Sequence, residues 1–212
     1  MTVTVFGATG RVGKYIVRMA LAKGYTVKAF GRNVENLIDA DLNNDNLETI
    51  KGFVFDEADV LKAVTGTDAV FSALGGGTDG TDKTRSLGIK NITQQMHKAG
   101  VKRIVAVGGM GSLKDDEYEY RLNRPDYPAV FRAVSAEHLK AYKYLKASGL
   151  NWTFVCPPDI KDAEATGKYV ISAEYKPIPY INKINAGDIA DFMLKEIALN
   201  QYVNKRVGIC SL

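Results

Sequence analysis

The passage from Val3–Phe6 into Gly7-Ala8-Thr9-Gly10-Arg11-Val12-Gly13 restricts this chain more than any other stretch. A short apolar run enters three glycines spaced three apart and leaves as a segment of helical period. Each glycine has its own reason. The first turns the chain off a strand with φ positive, the second lets backbone N–H groups approach a pyrophosphate, and the third lets the new helix pack closely on the sheet. A helix N-terminus then offers unpaired N–H donors and a partial positive charge to phosphates. The spacing is G-x-x-G-x-x-G rather than G-x-G-x-x-G, so the reading leans on position, with a strand directly before and a helix directly after.

Val12, Ile16, Met19 and Ala20 recur at helical spacing, Gly24 stops the segment, and Tyr25–Phe30 follows as the second strand. This is a right-handed βαβ unit, the half-fold that holds a mononucleotide. A carboxylate at the end of this strand hydrogen-bonds the ribose 2′-hydroxyl of NAD and repels a 2′-phosphate. The chain has Arg32 there instead, whose guanidinium pairs with the 2′-phosphate of NADP, and Arg11 in the cradle is expected to assist. NADP is therefore favoured over NAD.

The alternation continues. Residues 33–49 read as connective, with a short helix and a loop around Asn43–Asn46. Residues 49–55 read as the third strand, Asp56 as the cap of a helix with Val60, Leu61 and Val64 inward, and 68–74 as a fourth strand running into Gly75-Gly76-Gly77. A helix with Gly88, Ile92, Met96 and Ala99 on one face ends at Gly100, before a fifth strand at 103–107. Residues 108–128 lack a period and are expected to form a lid or wall over a substrate. Phe131, Val134, His138, Ala141 and Leu145 share one helical face, 151–156 is the sixth strand, and Pro157-Pro158 ends it. A strand near 168–172, a helix opened by Asp188 with Ile189, Phe192, Met193 and Ile197 inward, and a last strand at 206–209 complete the pattern. The fold class is α/β, a Rossmann-type doubly wound parallel sheet in three layers, as a single domain over residues 1–212.

Charge argues against a polyanion as partner: the net charge is only +4 and the basic residues are scattered, so nucleic acid is not expected. Cys156 and Cys210 are far apart and form no metal-binding spacing, so neither a disulfide framework nor a metal site is indicated. No apolar run reaches membrane-spanning length, and the first strand begins at the second residue, which leaves no room for a secretory signal. A cytoplasmic protein, monomeric or a small homo-oligomer, is expected.

Taken together, GATGRVG, Arg32, TGTDAVFSALG, HKAGVKRIVAVGG, ASGLNWTFVCPP and INAGDIADFML resemble the atypical short-chain dehydrogenase/reductase family, nearest its NADPH-dependent flavin reductase/biliverdin reductase B group and NmrA-like relatives. The resemblance covers nearly the whole chain. It implies NADP across Gly7, Thr9, Gly10, Arg11, Val12 and Gly13, with Arg32 and Phe53 toward the adenosine end. It further implies that Ala73, Leu74 and Gly75, then Val107 and Gly108, then Pro157 and Pro158 border the cofactor at the strand ends. The chain also departs from the family pattern. Gly52-Phe53 stands where Gly-Asp often meets the adenine, so the adenine is expected to be met by stacking or by another residue. Gly108-Gly109 replaces a serine after the fifth strand, with Ser112 three residues on. Tyr142 and Lys146 have Tyr-x-x-x-Lys spacing, yet alignment on Ala147-Ser148-Gly149-Leu150 places the family's lysine at His138 and its tyrosine at Val134. Asp159 stands where a histidine follows the paired prolines in the flavin/biliverdin group. Catalytic residues are therefore unassigned, with His138, Ser112, Tyr142 and Lys146 as candidates.

Three functions compete. The first is hydride transfer from NADPH to a flat conjugated acceptor of flavin, quinone or tetrapyrrole type, for which positioning suffices. The second is an NADP-binding sensor that regulates a partner. The third, sugar-nucleotide epimerisation, would want the Tyr/Lys pair and a larger substrate domain.

Overall fold

The computed structural model describes residues 1–37 and 44–212. Part of the connective stretch read above, residues 38–43, lies outside the described residues. In chain order the elements are β1 (Thr2–Phe6), α1 (Gly13–Ala22), β2 (Thr26–Gly31), β3 (Leu47–Lys51), α2 (Glu57–Val64), β4 (Ala69–Ser72), α3 (Thr84–Ala99) and β5 (Arg103–Val107). Then come α4 (Ala129–Ala147), β6 (Asn151–Cys156), β7 (Asp159–Lys161), β8 (Tyr169–Ala173), β9 (Lys183–Asn185), α5 (Ala186–Leu199) and β10 (Lys205–Ser211).

Strand alternation explains the layering. In β1, Val3 and Val5 pack with α1 and α5 on one face, while Phe6 joins the core under α2, α3 and α4 on the other. The same division separates Phe71 from Val70 in β4 and Val155 from Phe154 in β6. Both faces are covered, which is why these strands read as nearly continuous apolar runs.

The main sheet has the order β3-β2-β1-β4-β5-β6-β10-β8. All neighbours are parallel except β8, which pairs antiparallel with β10 at the edge. Successive strands move outward from β1 to β2 and β3, and the chain then returns to β4 on the other side of β1. The direction of winding therefore reverses between β1 and β4, where an α/β sheet of this kind opens a crevice at the carboxyl ends of its strands.

Several boundaries differ from expectation. The third strand ends at Lys51 rather than at 55, because Phe53 N–H donates to Asp59 Oδ2 (2.9 Å) and the chain turns toward the Asp56 cap. Asp56 caps α2 as expected, accepting from Asp59 N–H at 2.9 Å. Asp188 does not open its helix, which begins at Ala186. Its buried carboxylate accepts the Thr166 and Gly167 N–H groups at 2.7 and 2.8 Å, fastening the segment before β8. Phe131 on α4 is 49% exposed and Val134 half-buried, so the inward face of that helix begins only at Ser135. The stretch 108–128 contains two short 3-10 turns, Met110–Ser112 and Arg121–Asn123. Asp115 pairs with Arg121 and Arg124, and Arg132 donates to the carbonyls of Leu122 and Arg124, so this stretch is tied to itself and to α4. The short strands β7 and β9, which pair with each other, were not foreseen.

Candidate cofactor cleft

At the reversal point lies a cleft of about 280 Å³. Gly7 leaves β1 with φ +75°, and a Cβ there would stand 2.6 Å from the Ala73 carbonyl oxygen, so only glycine lets this turn pass the end of β4. The Gly10 N–H closes the turn onto the Gly7 carbonyl at 2.9 Å. A Cβ on Gly13 would overlap that same carbonyl, which is the close helix–sheet approach expected of the third glycine. Unlike α2, helix α1 has no side-chain cap and no acid in its first turn. Its positive end is thus open to an anion.

The cleft brings together Gly7, Thr9 and Gly10 from the cradle, Arg32 from the end of β2, Phe53, and Ala73, Leu74 and Gly75 after β4. Arg32 is exposed at the mouth. Phe53 is 61% and Phe55 55% exposed, two large apolar rings in water beside a cleft rather than in the core. A Cβ on Gly75 would meet nothing within 4 Å, so the backbone there faces open space. A dinucleotide fits this set. The cradle and helix end suit a pyrophosphate, the rings offer stacking to an adenine, and Arg32 suits a phosphate on the ribose. Sequence reasoning missed Phe55, Asp82 and Thr84 in this lining. Phe55 carried a signal, an aromatic one residue before a helix cap.

The other expected cofactor residues lie outside this lining. Val12 and Gly13 are buried at the start of α1, and the Arg11 Nη1 donates to the Ile160 carbonyl at 2.7 Å. Arg11 is thus tied to β7 in this structure. Val107 and Gly108 end β5, and Pro157 and Pro158 follow β6, one and two strands along the same rim from β4. Gly108 has a packing reason of its own: a Cβ there would overlap the Phe154 ring.

The four catalytic candidates do not converge. His138 lies over Gly109, where a Cβ would stand 2.9 Å from its ring. Burial, then the nearby Arg85 charge, pushes its pKa down to about 3, so the imidazole is neutral at physiological pH. Ser112 is fully buried, and its hydroxyl finds no partner among the described residues. Tyr142 is packed against Trp152 and Phe154, with the Arg206 guanidinium 4.7 Å from its ring centre. It lines, with exposed Lys146, a separate open groove of about 530 Å³ that shares no lining residue with the cleft.

A family profile described as NAD(P)H-binding matches residues 7–199, which span the cradle and every strand end that borders the cleft. The chain belongs to the NAD(P)H-binding family. An uncharacterised chloroplastic protein of Arabidopsis thaliana is 31% identical over 93% of this chain and 70% of its own length. Among solved structures, a candidate NADH-flavin reductase from Streptococcus pneumoniae is 29% identical over the whole of both chains, with a TM-score of 0.82. A candidate epimerase from Bacteroides thetaiotaomicron is 25% identical over 100% of this chain and 97% of that one, with a TM-score of 0.85. These relatives agree with the atypical short-chain dehydrogenase/reductase character of the motifs. Family membership makes the cofactor a nicotinamide dinucleotide. Among the described residues no helix is long and apolar enough to cross a membrane.

Proposed function

We propose that this member of the family is an NADPH-dependent reductase that passes hydride to a small, flat, conjugated acceptor. The observation that carries the cofactor choice is Arg32 at the mouth of the cleft, a guanidinium where an NAD site places a carboxylate. Gly7, Gly10 and the open end of α1 would hold the pyrophosphate, and Phe53 and Phe55 would stack on the adenine. Bound NADPH supplies the hydride.

On the acceptor side, Gly109 and Pro158 lie half-buried just past the carboxyl ends of β5 and β6, with the neutral His138 ring laid against Gly109. These small and ring-shaped groups would offer a planar molecule a surface to lie against. A neutral imidazole holds no proton to give as a cation, and a flavin or quinone product takes its proton from water. The similarity to a candidate flavin reductase supports an acceptor of this type. The test is steady oxidation of NADPH in the presence of a free flavin or a quinone. Turnover with either supports the reading. Tight NADPH binding without oxidation by flavins, quinones or tetrapyrroles would make the protein an NADP sensor instead.

A further inference from the structure

Three successive glycines after β4 cannot hold a shape by themselves, since glycine loses more freedom on ordering than any other residue. Yet Gly75 and Gly76 line the cleft, and their peptide groups must stay in place if they are to border a cofactor. What holds them comes from the start of α3. Arg85 donates from Nη1 to the Gly77 carbonyl at 2.7 Å and from Nη2 to the Gly76 carbonyl at 3.0 Å. Asp82 accepts the Gly77 N–H at 2.9 Å with one oxygen and the Thr84 N–H at 2.8 Å with the other.

The placement of Arg85 is unfavourable on other grounds. It lies in the first turn of α3, where the helix dipole opposes a cation, and it is buried at 9% exposure. A planar fork with fixed donor spacing holds two adjacent carbonyls in one geometry, whereas a lysine ammonium is a point charge on a flexible stem. The Arg85 charge also helps to lower the pKa of His138 on α4. The Nε of Arg85 is buried and has no partner among the described residues.

We propose that Arg85 is a positioning residue for the cofactor, its guanidinium fork holding the Gly75–Gly77 loop in the shape that receives the dinucleotide. This deepens the NADPH reading and rests on it. The experiment compares the native protein with Arg85→Lys and Arg85→Gln in two measurements. The first is NMR relaxation of the free protein. Backbone order parameters of Gly76 and Gly77 should fall from rigid values near ~0.85 to below ~0.6 in both variants, while those of β5 and β6 stay unchanged. The second is titration with NADPH, whose Kd should rise ~10-fold or more in both variants, as expected for loss of a charge-assisted pair of hydrogen bonds. In turnover the loss should appear in KM rather than kcat. A lysine variant with native loop order and native Kd would overturn the proposal, because charge alone would then suffice. Equal loosening of β5 and β6 would also overturn it, by making Arg85 a general stabiliser. If the native protein fails to bind NADPH, the cofactor reading falls, and the relaxation measurement still decides whether Arg85 holds the loop.

Discussion

The two ends of the sheet are built on opposite principles. At the amino ends of β5 and β6, polar groups are matched to one another. Arg103 donates to Glu196 Oε1 at 2.8 Å, to the Thr153 hydroxyl at 3.0 Å and to Asn200 at 2.7 Å, and Glu196 also accepts from Thr153 and the Gln201 and Tyr202 N–H groups. The Arg103–Glu196 pair is buried, and nothing in the network is left for a ligand. At the carboxyl ends of β1 and β4 the side chains are removed instead, leaving glycine backbone, an uncapped helix and an exposed arginine around a cleft. The 530 Å³ groove resembles the first end more than the second. It is larger than the cleft, but Arg206 within it is already bound to Glu174 at 2.7 Å and to the Ser112 carbonyl at 2.6 Å. Glycine backbone and an uncapped helix end single out the candidate cleft better than volume does.

This contrast predicts that stability and binding separate cleanly by end. The largest effect belongs to the amino end. Glu196→Ala should cost about 3–5 kcal/mol in urea denaturation, the range for leaving a buried partner charge unpaired, with affinity for NADPH unaltered. Weakened binding at full folding would break the separation. At the carboxyl end, Gly10→Val should abolish the rise in Tm caused by NADPH while keeping the Tm of the free protein. A Cβ at Gly10 stands 3.1 Å from the Gly7 carbonyl, and the rest of valine would intrude where the pyrophosphate is held. An unchanged ligand-induced shift would overturn the cradle. Smaller effects are expected for the candidates that do not converge: His138→Ala, Tyr142→Phe and Lys146→Ala should each lower kcat by less than ~10-fold, below the general-acid range. A loss of ~10³-fold for Tyr142→Phe would return the groove to the catalytic account.

His138 sharpens the comparison through pH. Its pKa in the folded protein, about 3, lies below that of an unfolded histidine, so between those values the unfolded chain binds the extra proton. Stability should therefore fall as pH drops from about 6.5 toward 3 and be indifferent to this group above neutrality. His138→Gln should reduce the loss of Tm between about pH 7 and pH 4.5. An undiminished loss would show that the imidazole already titrates freely in the native state.

Much of the fold was legible because glycines punctuate it. The strands at 103–107 and 151–156 have the boundaries read from apolar runs flanked by Gly100, Gly108, Gly149 and Pro157. The third strand was overextended because Phe53, Val54 and Phe55 look like strand residues, and hydropathy does not say which apolar groups face water. Strands of three residues, β7 and β9, are too short to show a period. In the site, Gly7, Gly10, Arg32 and Gly75 were readable because each is required by local backbone geometry or by its place at a strand end. Asp82 and Arg85 were not, and away from the cleft the part played by Asp188 was not, since their partners are set by how loops fold back onto helix starts. The same limit explains Arg11, whose carbonyl partner is 149 residues away.

The proposed function turns on Arg32 drawing NADPH to the glycine-lined end of the sheet. Calorimetric titration of NADPH and NADH into the native protein and Arg32→Ala tests it most directly. The native protein should bind NADPH more tightly, and the variant should lose about 1.5–3 kcal/mol for NADPH while its affinity for NADH is nearly unchanged. Equal losses for both cofactors, or native preference for NADH, would contradict the account.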